Sequence, residues 1–92
     1  MRPTQVAPDG TTVPDDETLR LYARTFCNAS GQADVERWLS VGESHAAQSF
    51  IHGAVYALWT ARAISDEEAK DAYEALLITK EMIVRLERSP LQ

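Results

Sequence analysis

A chain of 92 residues, 45% hydrophobic and 25% charged, makes at most one small globular domain. Its net charge of −5, from 9 Lys and Arg against 14 Asp and Glu, argues against direct nucleic-acid binding, which needs clustered bases. The single cysteine, Cys27, excludes an internal disulfide, leaves a cysteine-built zinc site without ligands and suits a reducing compartment.

No basic segment followed by an apolar run opens the chain, so no signal peptide is expected. The longest mostly apolar stretch, 44–64, carries His45, Gln48, His52 and Arg62 and makes a poor membrane span. The expected setting is the cytoplasm, without a membrane partner.

Residues 1–14 hold three prolines, a glycine and three threonines and show no helical or alternating pattern. They are expected to form a flexible or extended N-terminal arm, with Val6 and Val13 available to dock it. A single helical domain over 15–89 and a short tail at 90–92 complete the expected layout.

The first helix starts after Pro14. Thr12 or Asp15 can cap it, and Asp15, Asp16 and Glu17 suit the positive end of its dipole. Leu19, Tyr22, Ala23, Phe26 and Cys27 recur at helical spacing as one apolar stripe, with Arg20 and Arg24 outside it. Asn28, Ser30 and Gly31 are expected to stop this helix. Cys27 reads as a small core residue, since no activating neighbour can be named.

A short second helix is expected over 32–40, with Val35, Trp38 and Leu39 on its apolar face. Gly42 is expected to break the chain, and Ser44 can cap the next helix. This central helix, over 44–64, has two uncharged faces. One gathers Ala46, Phe50, Gly53, Ala57, Leu58 and Ala61, whose small members invite a close helix neighbour. The other gathers His45, Gln48, His52, Tyr56 and Trp59. We assign the small-residue face to the last helix of the same chain, which leaves the aromatic-histidine face to be covered by the first two helices, the N-terminal arm, a second copy of the chain or a partner.

Ser65-Asp66-Glu67-Glu68 matches a capping box and opens a last helix expected over 66–88, closed by Ser89-Pro90. The short connection makes 44–64 and 66–88 an antiparallel αα-hairpin. Lys80 falls within the apolar arc of this helix and is expected at its margin, with its stem packed. Ile78 and Met82, with Glu74 and Glu81 beside them, mark a secondary or dimer patch.

The chemical motifs are sparse. His45 and His52 lie two turns apart on one helix, roughly 10 Å, so a metal does not easily take both and a site would need Asp or Glu from another helix or a symmetry mate. The serines read as caps or surface residues, the acid clusters sit at helix starts, and no glycine-rich phosphate loop exists. No catalytic residue, metal or cofactor is expected.

The sequence therefore predicts an all-α bundle of three main helices plus one short helix. Its expected role is that of a non-enzymatic protein–protein interaction module, a small acidic inhibitor or adaptor of the kind a phage or other mobile element turns against a host complex. It is expected to act as a homodimer, with His45, Gln48, His52, Tyr56 and Trp59 binding the partner. Two alternatives stand beside this reading. One is a small-ligand or metal-binding bundle using His45 and His52; the other is a co-regulator that binds a transcription factor.

Overall fold

A computed structural model describes residues 4–6 and 12–88. The other residues of the expected arm, and the tail at 90–92, lie outside the described residues. Two short strands, β1 (Thr4–Val6) and β2 (Thr12–Pro14), pair antiparallel with Gln5 opposite Val13. Strand β2 lies against the central helix, and Val13 is only 2% exposed.

Five helices come after the strands: α1 (Asp16–Phe26), α2 (Ala29–Ser40), α3 (Ser44–Thr60), α4 (Asp66–Ala75) and α5 (Lys80–Glu87). The fold is an all-α bundle, as the helical periodicities predict. Its core joins Leu19 and Ala23 of α1, Val35 and Leu39 of α2, and Ala47, Ile51 and Val55 of α3. Ala69, Ala72, Tyr73 and Leu76 complete it from α4 and its C-terminal turn. An apolar stripe on each helix drives this assembly by leaving water.

The starts of α1 and α4 obey their sequence signals. Asp15 caps α1 by accepting from the Thr18 N–H at 3.0 Å. Ser65 and Glu68 form the reciprocal capping box of α4, with bonds of 3.0 and 2.8 Å. Asn28 is a correction to the expected pattern. It opens α2 rather than closing α1, because its side chain accepts from the Gly31 N–H at 2.9 Å. Gly31 then lies inside the first turn of α2, where a Cβ would stand 3.1 Å from the Phe50 ring and 3.0 Å from Cys27 Cβ. The glycine is there for a close helix approach, not for a stop.

The helix ends share one device. After α2, α3 and α4 the chain turns through a left-handed residue, Gly42 (φ 78°), Arg62 (φ 65°) and Leu77 (φ 60°) respectively. In each, the next amide reaches back to the carbonyl five residues earlier. The pairs are Glu43 to Trp38 at 2.8 Å, Ala63 to Leu58 at 2.8 Å and Ile78 to Tyr73 at 2.9 Å. These are Schellman motifs, and they satisfy carbonyls that a helix end leaves bare. The first confirms that Gly42 breaks the chain.

The third divides what the sequence predicts as one helix over 66–88. Helix α5 begins anew at Thr79, whose hydroxyl accepts from the Met82 N–H at 3.2 Å while the Met82 sulfur accepts from the Thr79 N–H at 3.5 Å. The αα-hairpin is therefore α3 with α4 alone. Lys80 sits at the exposed start of α5 rather than along an apolar arc. Ser44 is also not a cap: Glu43 holds that position, and buried Ser44 donates to Asp16 Oδ1 at 3.4 Å.

Candidate functional site

The central helix presents the opposite face to its neighbours from the one its small residues suggest. Ser44, Ala47, Gln48, Ile51, His52 and Val55 are buried, whereas Ala57 and Ala61 are exposed and a Cβ added at Gly53 would touch nothing. Gln48 and His52 are 0% and 4% exposed, so neither offers surface to a partner. The Gln48 amide donates to the Leu76 carbonyl at the end of α4, at 2.8 Å. His52 meets Tyr73 of α4 edge-on, with ring centroids 5.2 Å apart. Large side chains bury more apolar area than alanines do, and these two also reach specific groups on α4.

His45, Tyr56 and Trp59 are half-buried. Trp59 stands edge-on to both Tyr73 (6.0 Å) and Tyr56 (6.4 Å), and its indole N–H donates to Asp66 Oδ1 at 2.8 Å. The aromatic series thus runs along the α3–α4 seam, from His52 inside to Tyr56 at the surface. The expected secondary patch is likewise reassigned. Met82 is buried and Ile78 packs against the core, leaving only Glu74 and Glu81 exposed.

The buried titratable groups are held neutral. Burial lowers the His52 pKa, since a charged imidazole would lose its hydration. Tyr73 is pushed up to about 12 by burial first, then by Tyr56 and Glu87. Burial also raises the Cys27 pKa, which keeps it a thiol and a poor nucleophile. Among the described residues, no three His, Cys, Asp or Glu side chains converge as a metal site would need. No helix of the described residues is long and apolar enough to cross a membrane.

Among the described residues, an apolar groove of about 390 Å³ lies between α1 and α4, with Leu58 near the end of α3 in its lining. Leu21, Tyr22 and Phe26 form its α1 wall, and the Tyr22 and Phe26 rings stack at 6.0 Å. Leu58 and Ile64 continue the apolar surface, and Glu68 and Asp71 edge it on α4. Leu21 is 50% exposed. A second hollow, lined by Tyr56, Trp59, Thr60, Arg62, Asp66 and Glu87, carries both signs of charge and so selects no charge class.

Sequence reasoning did not single out Leu21, which lines the groove. The signal was there: with Leu21 added, the apolar stripe of α1 is wider than one core-facing arc requires. Leu58 was assigned to the hairpin interface, whereas α4 crosses α3 on its other face. No family model matches this chain, nor does any curated protein or any solved structure.

Proposed function

We propose that this protein is a non-enzymatic interaction module, an inhibitor or adaptor that works by seating part of a larger protein in the α1–α4 groove. The observation that carries this reading is the groove itself, where Leu21, Tyr22, Phe26, Leu58 and Ile64 form continuous apolar surface with an acidic edge. Aromatic and aliphatic side chains around a concavity are what interface hot spots are made of. The half-buried Tyr56 and Trp59 lie at a separate hollow and serve in this reading to hold α3 on α4.

The expectation of a homodimer came from the under-charged face of α3 and from the small core of a chain this short. Helix α4 covers Gln48 and His52, so that part of the face no longer calls for a second copy.

The test is capture of partners by wild type and by Leu21→Asp, and then reconstitution with the purified partner. Val41→Asp is the control, because Val41 is 67% exposed and lies far along the chain from the groove residues. The reading expects a complex with wild type and Val41→Asp that Leu21→Asp loses while its helicity is unchanged. A partner held equally by all three proteins would place the site elsewhere.

A further inference from the structure

The charge around the groove is one-sided. Helix α4 carries Asp66, Glu67, Glu68, Asp71 and Glu74 against a single base, Lys70. Among the described residues none of these carboxylates is in an ion pair. The two described pairs, Arg20 with Glu36 (2.8 Å) and Arg37 with Asp34 (2.7 Å), tie α1 to α2 and α2 to itself. The opposite edge, on α1, is Leu21 and Thr25, and the charged residues that share a hollow with Leu21 beyond it, Glu17 and Arg24, are of opposite sign. An occupant therefore meets an apolar surface, a negative flank on one side and a flank of balanced charge on the other.

The walls also restrict the occupant's backbone. Both are helices, whose amides and carbonyls are already paired, so the groove offers no edge for an added strand. A segment entering it must satisfy its own backbone, and a helix does so. The part of α1 that lines the groove runs from Leu21 to Phe26, roughly 9 Å, which matches nearly two turns of a docked helix.

Resting on the groove reading above, we infer that the partner segment is a basic amphipathic helix, its apolar stripe bordered by Lys or Arg on the side that faces Glu68 and Asp71. Carboxylates that, among the described residues, are in no ion pair and lie beside an apolar surface favour a cationic flank, speed its encounter and penalise an acidic one. Attraction at this exposed edge weakens as salt rises.

A displayed library of amphipathic helices, with a fixed Leu/Phe stripe and randomised flanks, selects the occupant directly. The full chain is the target and Leu21→Asp is the counter-target. The inference expects enriched helices with Lys or Arg along one flank. It expects their affinity to fall about tenfold in the double variant Asp71→Lys/Glu68→Gln, and to fall with added salt. Glutamine at 68 keeps the capping acceptor, so α4 still has its box. Enrichment of acidic or uncharged flanks, or indifference to the double variant, overturns the charge assignment and leaves the groove reading standing. Failure to enrich any helix over Leu21→Asp overturns both. Concentration-dependent self-association in light scattering, abolished by Leu21→Asp, overturns the inference by making a second copy the occupant.

Discussion

Gln48 in the middle of α3 donates its side-chain amide to the carbonyl of Leu76, 2.8 Å away and 28 residues on, where α4 ends. Both residues are 0% exposed. The bond does what the water around an exposed helix end would do, and it fixes α4 in register with α3.

Replacing Gln48 by the similarly shaped Met removes this donor and strands a buried carbonyl. The expected cost is about 1–3 kcal/mol, read from urea unfolding midpoints. Hydrogen exchange should quicken first around Leu77 and Ile78, because the turn after α4 loses its anchor. A variant as stable as wild type would show that the Leu76 carbonyl finds another donor.

His52 predicts the acid response. Its folded pKa lies below the ordinary 6.5, because burial disfavours the imidazolium. Between the two values the unfolded chain binds the extra proton. This contribution is thus fully present above about pH 6.5 and declines as pH falls below it, by at most about 1.4 kcal/mol per pH unit. Thermal midpoints of wild type should drop from pH 7 to pH 5 more than those of His52→Phe. Parallel curves would remove His52 as the cause.

Two glycines inside helices should respond to alanine with opposite signs. A Cβ at Gly53 meets nothing, so Gly53→Ala should stabilise by about 0.5–1 kcal/mol through helix propensity. A Cβ at Gly31 would press on Cys27 and Phe50 at 3.0 and 3.1 Å, so Gly31→Ala should destabilise by about 1–2 kcal/mol. Paired denaturation curves decide this, and a shared sign would mean that the α2–α3 approach is looser than described.

Arg62 occupies the left-handed position that glycine takes most readily, and it is exposed. Arg62→Gly relieves backbone strain at the price of a more flexible unfolded chain. The expected net gain is up to about 1 kcal/mol. Differential scanning calorimetry measures it, and a loss of stability would show that the Arg62 side chain contributes more than its backbone costs.

Much of the fold was legible because its signals are local. Asp15 and the Ser65–Glu68 box start helices through side chains three residues from their targets, so spacing in the sequence is enough to find them. The break at Leu77 was hidden for an equally plain reason. Leu76, Leu77 and Ile78 continue an apolar run, and a leucine stands where glycine would have marked the turn. Asn28 misled because the same residue type serves at the start of a helix and near its end.

The candidate groove was less legible. Leu21 lies outside the regular stripe of α1, and its meeting with Leu58 and Ile64 depends on how α3 and α4 cross.

The sequence by itself determined that the chain is helical, acidic and poor in chemical motifs, and where most helices begin. Which way α3 faces was decided only by tertiary structure. Both of its faces are uncharged, so hydrophobic periodicity has no direction to report. The choice falls to long-range partners: the Leu76 carbonyl takes Gln48, and the Tyr73 ring takes His52. That choice turns the alanine face outward, buries Gln48 and His52 of the surface expected to bind a partner, and leaves Tyr56 and Trp59 half-buried at the second hollow.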